Sequence, residues 1–166
     1  MNTHPLRKPS VVAGIGLQES SRKGVLALLA ITLADEYVLY TKTRNFHWNI
    51  TGFHFDAMHK FFEAQYKELD AFVDETAERS RALGGRALGS MKEFLAKARL
   101  AESPAVALKE EAMVAELLAD HEALIRSLRK DVDEAARLGD QGTADFLTGL
   151  LTSHEKMAWM LRSFLS

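Results

Sequence analysis

The chain has 166 residues, 47% of them hydrophobic and 27% charged, which suits one globular domain with a substantial core and excludes wholesale disorder. Twenty-one basic against 23 acidic residues give a formal net charge of -2, so the folded body is not a general polyanion binder, although a local basic arm could still act as one. Cysteine is absent, which removes disulfides, thiolate nucleophiles and sulfur-bound zinc or iron–sulfur centres.

In chain order, residues 1–18 read as a flexible N-terminal arm that contains Pro5 and Pro9, carries Arg7 and Lys8, and holds no acid before Glu19. No apolar run follows the first residues that is long enough for a signal peptide. The longest apolar stretch, Val25 to Ala34, falls short of the ~20 residues that span a bilayer. A cytoplasmic protein with no membrane partner is therefore expected.

Residues 19–166 form the body. No Gly or Pro interrupts 25–51, 53–83 or 105–138, and Gly149 alone interrupts the last segment after Thr143. Within these segments apolar residues recur every three or four positions. The first stripe is Leu26, Leu29, Leu33, Tyr37, Tyr40 and then His47; the second is Phe55, Met58, Phe62, Leu69, Val73 and Thr76. The third is Val114, Leu117, His121, Leu124, Leu128 and Val132; the fourth is Leu147, Leu150, His154, Met157, Leu161 and Phe164. Each has the period of an amphipathic helix. Gly52, Gly84 and Gly139 suit helix C-terminal caps, and Ser103-Pro104 suits an N-cap followed by proline at the first helical position. Between the second and third helices, residues 90–97 suit a short extra helix. The expectation is an all-α four-helix bundle with a short extra helix in a long middle crossover.

The second helix carries an unusual polar stripe. His59 and Glu63 are four apart, as are Asp74 and Glu78. At ~100° per residue all four fall within an arc of about 100°, beside the stripe of Phe55, Met58, Phe62 and Leu69. His47 adds a further ligand type from the end of the first helix, and imidazole plus carboxylate without sulfur describes a site for iron, manganese or zinc. Residues 63 and 74 lie about 16 Å apart along one helix, at ~1.5 Å per residue, which is too far for one ion with ~2 Å bonds. Two copies packed antiparallel about a twofold near residue 68 or 69 would set His59 and Glu63 of one against Asp74 and Glu78 of the other. That arrangement makes two equal sites about 22 Å apart. The same stripe also fits a solvated helix face, and His47 also fits a hydrogen-bonded core residue. His121 and His154 lie on apolar stripes and read as core residues, while His54 and His4 have no evident partner.

The stretch Asn45-Phe46-His47-Trp48-Asn49-Ile50-Thr51-Gly52-Phe53-His54-Phe55-Asp56-Ala57-Met58-His59 resembles the ferroxidase signature of the Dps family, the mini-ferritins named as DNA-binding proteins from starved cells. So do Asp74-Glu75-Thr76-Ala77-Glu78-Arg79 before Leu83-Gly84-Gly85, then Gly139-Asp140, Thr143-Ala144-Asp145 and Lys156-Met157-Ala158-Trp159. The resemblance runs from about Ser20 to Leu165. It implies a ferritin-like bundle assembled from twofold dimers into a hollow homododecamer. It also implies oxidation of Fe(II), preferentially by hydrogen peroxide, storage of the ferric mineral inside, and protection of DNA from oxidative damage. By position, His47, His59 and Glu63 of one chain would hold iron with Asp74 and Glu78 of a neighbour. Many members carry Asp where Glu63 stands, and Glu reaches one methylene further. No histidine here has Glu three residues before it, so the Glu-x-x-His pairs of larger ferritins are not present. Trp48 would serve either as an electron donor to a stray oxidant or as a large interface side chain. Asp140 and Asp145 match an acidic threefold pore that draws in Fe(II), with Gln141 replacing a carboxylate found in some members; helix capping is the other reading. The alternative function is a structural DNA-compacting shell with a weak iron site, its DNA contact made through the N-terminal arm.

Overall fold

The computed structural model describes residues 13–104 and 108–166, so Arg7, Lys8 and most of the arm lie outside the described residues. Five helices follow in order: α1 Glu19–Asn49, α2 Phe55–Ala82, α3 Met91–Lys97, α4 Glu110–Arg137 and α5 Gln141–Arg162. No strand occurs among the described residues. The all-α bundle and its short extra helix thus stand as the periodicity predicts.

α1 and α2 form one antiparallel hairpin: Tyr40 meets Tyr66, Phe46 meets Phe62, and His47 meets His59. α4 and α5 form the other, and α3 packs on α1 from the crossover. One core of buried residues runs through the bundle, including Leu29, Leu39, Phe46, Phe62, Leu69, Leu117, Leu124, Leu147 and Leu161. A smaller cluster of Leu33, Ala34 and Phe94 seats α3, with Tyr37 stacked on Phe94 at 4.2 Å.

Helix ends follow local chemistry. After α2 the Gly84 amide bonds the Arg81 carbonyl and the Gly85 amide bonds the Ser80 carbonyl, a paired closure that requires the positive φ of Gly84, +76°. The same pair of bonds closes α4 at Gly139. α3 opens on a Ser90 cap, since Ser90 Oγ accepts from the Glu93 amide while the Glu93 carboxylate accepts from Ser90 Oγ and from the Gly89 amide.

Four expectations need correction. α1 is closed at Ile50, whose amide bonds the Phe46 carbonyl, so Gly52 turns the connection without capping the helix. Phe164, placed on the last apolar stripe, lies beyond the end of α5 and is exposed. α4 begins at Glu110 with Lys109 before it, so Ser103 is not its N-cap. Ser103 is committed elsewhere: its hydroxyl bonds the Glu116 carboxylate and its carbonyl accepts from Asn45. Residues 105–107 lie outside the described residues. Phe55, placed on the core stripe by period, is 45% exposed, because it sits in the first turn of α2 and stacks on His59 instead of entering the bundle.

α1 is long and apolar enough, by length and composition alone, to cross a membrane, but half of its most apolar window is buried inside the bundle. It also buries charge. Asp35 accepts from the Arg99 and Leu100 amides and from Arg99 Nε, which ties down the end of the crossover, and Arg99 reaches on to Asp131 at 3.0 Å. Lys42 bonds Asp120 at 2.6 Å and pairs with Glu116 at 3.0 Å.

Glu36 completes a fully buried polar chain across three helices. Its Oε1 lies 2.8 Å from His154 Nε2, and His154 Nδ1 lies 2.9 Å from His121 Nδ1. Both histidines are core residues, as their stripes predict. Burial, reinforced by the charge of His154, holds the His121 pKa well below the ordinary histidine value. The folded state therefore resists a proton that the unfolded chain accepts below about pH 6.5. Stability is full above that value and should fall as the pH drops, by up to about 1.4 kcal/mol per pH unit. Urea melts between about pH 5 and pH 7, at fixed protein concentration, should show this slope, and His121→Gln should remove it.

Candidate metal centre

Two predicted ligands, His47 and His59, gather at one end of the α1–α2 hairpin, and a third, Glu63, follows one helical turn on. Gly52, at φ +119°, turns the chain after α1, and the Phe55 amide bonds the Gly52 carbonyl as α2 begins. His47 in the last turn of α1 is thereby laid against His59 in the second turn of α2, with rings stacked at 3.8 Å and 24° between their planes. Each ring is tied to the other's main chain: His47 Nδ1 lies 2.8 Å from the His59 carbonyl, and His59 Nδ1 lies 2.9 Å from the His47 carbonyl. A carbonyl oxygen only accepts, so both Nδ1 atoms carry the proton. Both Nε2 lone pairs remain available to a metal. A ligand histidine normally has its second nitrogen fixed in this way. The edge of Tyr66 meets His47 at 5.1 Å, and Phe55 covers His59 at 5.0 Å, so neither ring is free to swing.

Glu63 follows one turn after His59. The Lys67 ammonium donates to Glu63 Oε1 at 2.5 Å, and this hydrogen bond, followed by the Lys67 charge, holds the Glu63 carboxyl below the usual range. Asp74 and Glu78 are exposed further along the same unbroken helix. At ~1.5 Å per residue, the 11-residue step from Glu63 to Asp74 spans about 16 Å. Accordingly, no group of three or more His, Asp or Glu side chains forms a complete metal cage among the described residues. The structure brings His47 and His59 together, sets Glu63 beside them, and leaves Asp74 and Glu78 apart.

The remaining site residues differ in exposure. Trp48 is 64% exposed, with the Arg44 guanidinium 5.2 Å from its ring and 5.4 Å from Tyr66. Asp140 is buried and caps α5: it accepts from the Thr143 amide and hydroxyl, and Arg79 donates to it at 2.9 Å. Capping and an ion pair thus account for Asp140. Asp145, in the first turns of α5, is exposed. His54 lies 3.0 Å from Glu110. Sequence reasoning passed over Glu36, Lys67 and Arg79. The signals for the first two were legible: an acid inside an apolar helix, and a lysine four residues after a ligand carboxylate. The Arg79–Asp140 pair joins residues 61 apart and has no local signature.

The ferritin-like domain family matches residues 26–166. A low temperature-induced protein of Nostoc sp. is 48% identical over 152 residues, covering 91% of this chain and 85% of its own. DNA protection during starvation protein 2 of Bacillus anthracis is 40% identical over 144 residues, covering 87% of this chain and 98% of its own. Among solved structures, the Dps protein of Vibrio cholerae, described as a member of a broad superfamily of ferritin-like diiron-carboxylate proteins, superposes with a TM-score of 0.87 at 30% identity. That superposition covers 92% of this chain and 95% of the other.

Because Asp140 is both a cap and a buried ion-pair partner, Asp140→Ala should cost about 2 kcal/mol of stability. The exposed Asp145→Ala should stay within about 0.5 kcal/mol of the parent. Paired urea denaturation curves measure both.

Proposed function

The chain belongs to the Dps family of ferritin-like proteins, and on that footing we propose that it is an iron store that oxidises Fe(II) at a site shared by two subunits. The observation that carries the reading is the locked pair of histidines. Two imidazoles are fixed side by side with Nε2 uncommitted, Glu63 follows one helical turn after His59, and the last two of the five predicted ligands lie out of reach on the same helix. Asp74 and Glu78 of the partner subunit would complete it.

Fe(II) and hydrogen peroxide are the proposed substrates, with peroxide preferred over dioxygen as the resemblance implies. Two ferrous ions give up one electron each. One peroxide takes both, its O–O bond breaks, and with two protons it leaves as two waters, so no hydroxyl radical is released. The imidazoles bind and orient Fe(II), while the carboxylates supply the negative charge that favours the ferric product. Trp48 next to His47 is less suited to giving an electron, since the Arg44 charge over its ring opposes oxidation; its exposure suits burial against a neighbour. Asp145, left free where Asp140 is committed to its cap, is the better candidate to draw Fe(II) towards an acidic pore. The assembly proposed is a hollow homododecamer of twofold dimers, cytoplasmic, with ferric mineral inside.

A shared site makes a sharp prediction. After anaerobic Fe(II) loading and addition of peroxide, neither His59→Ala nor Asp74→Ala should give rapid ferric absorbance. Refolding the two together should recover about a quarter of the wild-type sites, since half the dimers are mixed and each mixed dimer rebuilds one site. No recovery, with mixed dimers shown to form, would refute ligands drawn from two chains.

DNA compaction is the second reading, favoured by Arg7 and Lys8 in an arm without acids and by the name of the Bacillus anthracis relative. Multiplied over a shell, two cations per arm give avidity that salt should erase. A gel shift at low salt, lost on deletion of residues 1–18, would support it, and an unchanged shift would move the DNA contact to the body.

A further inference from the structure

We propose that Lys67 and Asp70 form reciprocal ion pairs across the twofold axis of the α2–α2 dimer, drawing Lys67 off Glu63 so that the metal site is armed only when two subunits join. The proposal rests on the shared-site reading. It starts from the register that reading requires. Antiparallel α2 helices that set His59 against Glu78 of the partner subunit and Glu63 against Asp74 of the partner subunit pair positions whose numbers sum to 137. Lys67 then lies level with Asp70 of the partner subunit, and symmetry repeats the pair on the other side of the axis. The six positions 59, 63, 67, 70, 74 and 78 step by four, four, three, four and four, the spacing of one helix face.

Surface shape agrees with that occupant. Lys67, Asp70 and Asp74 open into one hollow of about 540 Å³, walled by the apolar Leu33, Tyr37 and Phe94. A hollow with charge of both signs on its floor and Leu33, Tyr37 and Phe94 in its wall fits a second copy of the same helix. Along this seam Glu63 meets Asp74 of the partner subunit, a like-charge contact that needs a cation between them. The two Lys67–Asp70 contacts are attractive and offset that repulsion. A slip of one turn would set Lys67 against the partner's Asp74 and Glu63 against the partner's Glu78, which would scatter the ligand set. Lys67 meets an aspartate in either register, but only in the first do His59 and Glu63 face Glu78 and Asp74 of the partner subunit, so a cation bound between the ligands favours that register, with the Lys67–Asp70 pairs beside it.

In the single chain the Lys67 side chain is 64% exposed and its ammonium sits on the Glu63 carboxylate at 2.5 Å. That is the carboxylate a metal would share with Lys67, whose positive charge weakens it as a ligand. Assembly offers Lys67 a second carboxylate at its own level, so the ammonium changes partner and Glu63 becomes free. Lys67 is a positioning residue: it touches a ligand without touching metal, and it couples metal affinity to dimer formation.

Anaerobic titration with Co(II), read from its visible absorption, tests this at protein concentrations where sedimentation velocity shows every variant assembled. Wild-type protein should take up two Co(II) per dimer; if it takes up none, the shared-site reading falls and this proposal with it. Asp70→Asn should bind Co(II) about three- to fivefold more weakly, because Lys67 returns to Glu63. Lys67→Met combined with Asp70→Asn should restore affinity to within about twofold of wild type, since no ammonium is left to compete. Wild-type affinity in Asp70→Asn, or a double variant as weak as Asp70→Asn, would overturn the exchange while leaving the shared site standing. Both side chains are exposed on α2, so neither change threatens the fold.

Discussion

A straight helix cannot fold back on itself, and α2 is straight for the whole distance that matters. From Phe55 to Ala82 it has no glycine or proline to bend it, and the two halves of the ligand set occupy opposite ends of one face. In the proposed shared site the consequence is a division of labour between copies of the chain. A subunit alone holds two imidazoles and a carboxylate at one end and two unengaged carboxylates at the other. Under that proposal metal affinity and assembly are one equilibrium: an ion that binds only the dimer stabilises the dimer by mass action. The same geometry places a wrong register and a missing site on the same footing, because sliding one helix past the other separates the ligands.

Preorganisation of the half-site comes from atoms that the secondary structure leaves available. The His47 carbonyl is among the last four of α1, which have no partner within the helix, and His59 Nδ1 fills that vacancy. The His59 carbonyl lies inside α2 and receives His47 Nδ1 in return. One pair of bonds therefore joins the ends of two helices, selects the tautomer of both rings and stacks them. Neither residue can be retuned without loosening the other. Rings held in this way lose little rotational freedom when an ion arrives, which is the main entropic cost of gathering flexible ligands.

The periodicity of apolar residues and the positions of glycine made the five helices legible, because those are local rules and the chain obeys them. What they misjudged was decided by distant partners. Ser103 has the local chemistry of a cap, yet Asn45 and Glu116 take its polar groups first. Phe55 has the period of a core residue but lies in the first turn of α2, where its ring serves His59 instead. Within the site, the spacing of His59, Glu63, Asp74 and Glu78 was enough to show that one chain could not close around an ion. Spacing could not reveal which ring nitrogen is free, since that depends on a carbonyl twelve residues away in another helix. Nor could it separate a pore carboxylate from a cap at Asp140 without Arg79, which arrives from α2.

The placement of His47 depends in turn on charge buried earlier in the same helix. α1 carries Asp35, Glu36 and Lys42 in its interior, and each holds a different element: Asp35 the crossover through Arg99, Glu36 the last helix through His154, and Lys42 the fourth helix through Asp120. Buried pairs of this kind contribute little net stability, because desolvation cancels much of their attraction. Their effect is on register. Leucine and valine stripes tolerate a shift of one turn with modest loss, whereas the same shift would leave three desolvated charges without partners. α1 is therefore held at one height against its neighbours, and its end, about 5 to 12 residues beyond those charges at ~1.5 Å each, brings His47 level with His59. The metal half-site is set by electrostatics in the middle of the bundle as much as by the ligands at its edge.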